Sequence, residues 1–217
     1  MFVGHYAGAF AARGLEKRLP LAGAFVAVQF VDVWWDLFII TGVERARLVR
    51  GLPSNPLDLY FMPYTHSLVA TLAWAGLVFA IVRGTKAFGG SNGVALAAAG
   101  AVASHWFLDL LVHRHDLPIA SDASPKLGLG LWNMPLVALA VELLVLCASA
   151  AFYLNRTRED PRWIGGFVAG LCVVQIVTVF GPLPPTIPAM AGSLLVSYGL
   201  FAWVANVVQK KAARRAK

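Results

Sequence analysis

The chain has 217 residues, of which 59% fall in the AVILMFWYC set and only 13% are charged; its mean hydropathy is +0.69. An ordinary soluble domain carries about 25% charged residues, and a folded chain of this size still shows roughly a quarter to a third of its surface to solvent. These values exclude a water-soluble globule. The sequence also has no low-complexity tract, sustained heptad or glycine period, which excludes disorder, coiled coil and collagen.

What remains is an all-α, polytopic membrane helix bundle forming a single integral domain. The net charge of +7 comes from 18 Lys/Arg against 11 Asp/Glu. Five of the bases (Lys210, Lys211, Arg214, Arg215 and Lys217) crowd the C-terminus directly after an apolar run. That placement describes a juxtamembrane tail facing anionic lipid, not a nucleic-acid surface.

Residues 2–12 open the chain as an apolar stretch too short to span, since eleven helical residues reach only ~16 Å. They read as a half-penetrating helix in which Gly4 and Gly8 permit tight packing. Six windows of about 20 apolar residues follow, near 21–41, 64–83, 92–112, 132–154, 164–181 and 186–208, with a basic tail at 209–217. The prolyl turn Gly181–Pro188 between the last two predicts a hairpin. Gly166 and Gly170 have the spacing that permits close helix contact. Cys147 and Cys172 both fall inside apolar runs and read as packing residues.

Lys and Arg residues divide 13 to 5 between the two sides of this layout. The excess predicts cytoplasmic N- and C-termini, with the 42–63 and 113–131 loops facing outward. The basic cluster at Arg13, Lys17 and Arg18 precedes a full-length span carrying acids, which is unlike a cleavable signal peptide.

Four acids lie within spans: Asp32 and Asp36 in the first, Asp109 in the third and Glu142 in the fourth. An Asp at the centre of a membrane helix costs ~2.5–3.5 kcal/mol, so such residues face the bundle and find partners. Asp32 and Asp36 share a helical face, as do His105, Asp109 and His113. His66 opens the second span in Pro63-Tyr-Thr-His-Ser67. A helix rising from a cytoplasmic Arg13 would lift His5 ~12 Å, to the level of Asp32. Acids and imidazoles thus gather in the outer half of the bundle.

Taken singly, each of these residues reads as a satisfied packing residue rather than a ligand. Glu142 stands alone in its helix and reads as structural, and His115 and Asp116 as solvated loop residues or supporting partners. Taken jointly, imidazoles and carboxylates at helical spacing and equal depth read as a site for one or two divalent ions, zinc first, with manganese or iron suited as well.

The order His5, Asp32, His66 in Thr-His-Ser, then His105-x3-Asp109 resembles the YdjM-type inner-membrane metal-dependent hydrolases. Through them it distantly resembles the zinc-dependent phospholipase C and S1/P1 nuclease group. The likeness covers residues 1–116. Asp32 and Asp36 depart from the family's closer Asp-x-Asp, and the later His-x3-Glu of the phospholipase group is missing.

The resemblance implies a bacterial inner-membrane protein whose metal is held by Asp32, His66, His105 and Asp109. His5 and His113 would complete a second ion's shell, with Asp109 bridging. Asp36 or Asp58 would orient a water or accept its proton. Arg114 is suited to clamp a phosphate or, equally, to snorkel at the interface. Trp132 and Asn133 would line the mouth. The expected reaction is hydrolysis of a phosphoester or phosphodiester on a lipid or lipid-linked substrate. The competing readings are a metal-ion or proton transporter using the same cluster, and a non-catalytic scaffold. A transporter would need polar residues across the whole membrane, whereas the inner halves of the first and third spans are apolar.

Overall fold

The computed structural model describes residues 1–85 and 90–215. Lys86 and Lys217, counted above among the cytoplasmic bases, lie outside the described residues. Every apolar window forms helix. A 3-10 turn at Val3–His5 leads into α1 (Tyr6–Leu15). Then come α2 (Leu21–Val28), α3 (Phe30–Thr41), α4 (Leu68–Gly84) and α5 (Asn92–Val112). The chain ends in α6 (Pro135–Thr157), α7 (Pro161–Phe180) and α8 (Ile187–Arg215).

Four of these, α5 to α8, are long and apolar enough to cross a membrane. The pair α2–α3 makes a fifth if it is counted as one span bent by 45° at Gln29. The window expected as the second span yields only the 17 residues of α4, or ~25 Å of helix against a hydrocarbon core of ~30 Å. The basic segment expected as a separate tail from 209 instead continues α8 as far as Arg215.

The bundle is not purely helical. The two loops at one end fold into antiparallel pairs, β1 (Arg45–Leu48) with β2 (Leu57–Phe61), and β3 (Leu117–Pro118) with β4 (Lys126–Leu127). Gly128 lets the return strand cross the end of α5. Its φ of +153° suits glycine, and a Cβ there would collide with the carbonyls of His113 and Arg114. Leu129 and Gly130 then donate to the Leu110 and His113 carbonyls, at 2.8 and 2.7 Å, which satisfies the last turn of α5.

The short N-terminal helix is the centre of the molecule. Tyr6, Ala9 and Phe10 are fully buried, and α1 packs against α2, α5 and α6. Gly8 makes this possible, because a Cβ at that position would run into Ser104 Oγ and come within 3.2 Å of Val28. Both ends of the segment are pinned. Glu142 Oε2 accepts from the Phe2 and Gly4 amides at 3.2 and 3.3 Å, and Gln175 Oε1 from Val3 at 3.2 Å. These side chains satisfy amides that a helix start leaves without intrahelical partners. At the other end Arg13 pairs with the buried Glu159 at 3.2 Å, and Tyr153 also donates to that carboxylate. Glu142 thus holds the start of the chain in place. Gly166 and Gly170 serve no close contact among the described residues, since a Cβ at either would meet none of them within 4 Å. Cys147 and Cys172 are both free thiols.

Candidate metal centre

Five elements bring ligand-type side chains to one buried point near the hairpin end of the bundle. His5 arrives from the start of α1, Asp32 from α3, His66 from the turn before α4, and His105 and Asp109 from α5. His113 is the first residue beyond α5. All six are buried, none more than 7% exposed.

The two carboxylates form the axis. Asp109 Oδ1 lies 2.9 Å from His5 Nε2 and 3.4 Å from His113 Nε2, and also meets the Met1 amino group. Asp109 Oδ2 lies 3.2 Å from His105 Nε2 and 3.7 Å from His66 Nε2. Asp32 Oδ1 faces the same two rings, at 3.3 Å from His105 and 3.2 Å from His66. Asp32 Oδ2 lies 3.5 Å from His5 Nδ1 and 3.4 Å from the Tyr198 hydroxyl.

Two overlapping triads, His5/His105/Asp109 and Asp32/His66/His105, each bring three ligand atoms within 4.8 Å of one another. Asp109 spans both neighbourhoods, one oxygen toward each. This donor set suits a divalent ion of the zinc, manganese or iron type. Three of its buried atoms, His5 Nδ1, His105 Nε2 and Asp109 Oδ2, have no hydrogen-bond partner among the described residues. Buried polar atoms of this kind ordinarily find partners. A cation would satisfy them.

The rings are held from behind. His105 Nδ1 bonds the Val28 carbonyl at 2.8 Å, a group available because α2 ends there at the bend. His113 Nδ1 bonds Asp116 at 2.8 Å. His66 Nδ1 bonds Thr65 Oγ1 at 2.8 Å, and that hydroxyl reaches Glu44 Oε2 at 2.5 Å. Glu44 is itself fixed by the Tyr64 and Thr65 amides at 2.7 and 3.0 Å. Burial pushes the Glu44 carboxyl up from its ordinary value, opposed by the Thr65 hydrogen bond. Each of these three imidazoles thus fixes Nδ1 outward and presents Nε2 to the carboxylates, as metal-ligating histidines do. The Thr-His-Ser motif is fully used: Ser67 Oγ caps α4 by accepting from Ala70 at 3.0 Å.

The other site candidates land elsewhere. Asp36 is fully buried one turn beyond Asp32, but both its oxygens lack a hydrogen-bond partner among the described residues. Asp58 was expected to orient a water; it sits on β2 and pairs with Arg47 at 2.7 Å, with no hydrogen bond or ion pair to the cluster among the described residues. Arg114 was expected either to clamp a phosphate or to snorkel at the interface. Instead it ties the two loops together. Its guanidinium donates to the Pro53, Asn55 and Leu57 carbonyls and to Asn133 Oδ1, at 2.9 to 3.4 Å. Trp132 is buried against His113, ring centroids 4.2 Å apart, with Arg114 over its other side at 5.8 Å. His115 is exposed.

Glu44, Gln175 and Tyr198 are supporting residues that sequence reasoning missed. For Glu44 a signal existed, because a Thr preceding a candidate ligand His invites a search for an acid behind it. Gln175 and Tyr198 carried none, since neither stands at helical spacing from a candidate ligand in its own helix.

In comparisons with known proteins, no family model, curated protein or solved structure matches this chain.

Proposed function

We propose that the protein is a membrane-embedded, metal-dependent hydrolase that cleaves a phosphoester or phosphodiester of a lipid or lipid-linked substrate. The observation supporting this reading is the set of three anchored imidazoles whose Nε2 atoms converge on two carboxylates, with His105 common to two triads. A divalent ion in this donor set would supply Lewis acidity and would lower the pKa of bound water from 15.7 towards ~7.

The remaining work belongs to the chain. Asp32, His66, His105 and Asp109 would hold one ion, and His5 and His113, with Asp109, would hold a second. Asp36 is the uncommitted carboxylate nearest in sequence to the ligands and is the candidate proton acceptor. Asp58 and Arg114 are left out of this scheme because other groups engage them. Below His5 the bundle is filled by apolar side chains such as Phe10, Phe25 and Leu146, so the cluster is a one-sided pocket. That favours a reaction site over a conduction pathway.

In the same reading α2–α3 and α4 complete six spans, with both termini in the cytoplasm of a bacterial cell and the hairpin end outside the inner membrane. The resemblance to YdjM-type hydrolases points to the same chemistry. The test is metal analysis of purified protein together with hydrolysis of phospholipid and nitrophenyl phosphate substrates. Stoichiometric zinc, manganese or iron with hydrolysis lost in His66→Ala supports the proposal. Protein without metal refutes it, and metal without hydrolysis favours transport.

A further inference from the structure

A cavity of about 620 Å³ opens from the cluster into the apolar part of the bundle. Asp32, His66, Asp109 and His113 line one end. Its long walls are Leu139 of α6, Val174 and Val177 of α7, and Met190 and Leu194 of α8. Pro182–Pro185 and the Ser54–Leu57 loop close over it. Along α8 the lining runs from Ala189 to Tyr198, which the helical rise makes ~14 Å.

The space therefore has two chemistries in sequence: an anion-and-imidazole end, then a mainly apolar slot that also carries Gln175, Thr178, Ser193 and Ser197. A small water-soluble phosphate would use only the first. Three of the helices bounding the slot are long and apolar enough to cross a membrane. Tyr198 on α8 and Phe2 at the chain start flank it beside the cluster. The volume lies within the ~300–1,000 Å³ range of pockets that enclose one small ligand.

We infer that the substrate is a single-chain amphiphile, its one hydrocarbon chain lying in the slot between α6, α7 and α8 while its phosphate meets the cluster. The inference rests on the phosphohydrolase reading for the head group and adds the chain. Burial of the chain supplies binding energy remote from the reacting phosphate and sets its depth, so that only a phosphate attached directly to a long chain reaches the ligands.

The test uses the full chain in lipid nanodiscs and a hexadecylphosphonate carrying a diazirine near the chain end, whose C–P bond resists hydrolysis. Irradiation followed by mass spectrometry locates the adducts. The expected result is labelling of residues 174–179 and 189–198, competed by hexadecyl phosphate but not by butyl or inorganic phosphate. Leu194→Trp fills the slot and lowers this labelling about tenfold while metal content stays unchanged.

Adducts scattered over lipid-facing surfaces, or competition by inorganic phosphate as effective as by hexadecyl phosphate, would overturn the inference. So would equal labelling of Leu194→Trp. The two proposals fail separately. Slot adducts without turnover keep the chain site and reject the hydrolase, whereas phosphoester turnover without slot adducts does the reverse.

Discussion

The imidazoles of His5 and His105 stack with ring centroids 3.7 Å apart and planes 27° from parallel. One comes from the first turn of the chain and the other from the middle of α5, a hundred residues later. Both rings are buried, and each leaves one ring nitrogen without a hydrogen-bond partner among the described residues. Coordination would give those nitrogens a partner.

His105→Ala is accordingly expected to lower the bound metal strongly, because His105 Nε2 faces both Asp32 and Asp109. His5→Ala removes one triad only and should leave a fraction of the metal behind. Elemental analysis of the two variants, purified side by side, checks the order. Adding metal to stripped wild-type protein should raise its melting temperature, since a ligand that binds only the folded state stabilises it.

Thr65 and Glu44 touch no candidate ligand atom that faces the carboxylates, yet they fix the His66 ring. Thr65→Val or Glu44→Gln should weaken metal binding by about 10–100-fold while the protein still folds. Competition against a chelator of known affinity measures this. An unchanged affinity in both variants would show that the His66 ring is held by packing alone.

Metal retention should depend steeply on pH. Imidazole must be neutral to coordinate, and the ordinary histidine value is about 6.5. Affinity is expected to be flat above ~7 and to fall by more than about tenfold per pH unit below ~6, because several imidazoles must lose protons together. Equilibrium dialysis across this range gives the slope. A slope of one proton or less would limit the site to a single histidine ligand.

Gly8 and Ser104 meet where α1 crosses α5. Gly8→Val is expected to destabilise the protein by ~1–3 kcal/mol through overpacking and to lower metal content by displacing His5. Gly8→Ala clashes chiefly with the Ser104 hydroxyl, so adding Ser104→Ala should recover part of the loss. Thermal unfolding and metal content of the single and double variants test this coupling.

Helix positions were legible because apolar runs of about 20 residues have few other uses, and α5 begins and ends where its window did. The candidate ligands were legible for the same reason: in a chain with so few charged residues, acids at helical spacing from histidines stand out. Less visible were the short strands of the loops, the bend at Gln29 and the length of α4. Each depends on local turn chemistry or on neighbours. The partners of Asp58 and Arg114, Arg47 and the carbonyls of residues 53–57, were not legible because they are set by how the β1–β2 loop folds.

By itself, the sequence determined that this chain forms an apolar helix bundle with acids and imidazoles at one depth, since hydropathy and helical periodicity are properties of each segment alone. Only the tertiary structure decided that the segment before α2, too short to cross a membrane, fills the centre of the bundle. Its glycine lets α5 approach, Glu142 and Gln175 hold its amides, and His5 is thereby carried to Asp32 and Asp109. Hydropathy records how long and how apolar a segment is; which neighbours surround it depends on close packing among five helices, and no single segment encodes that.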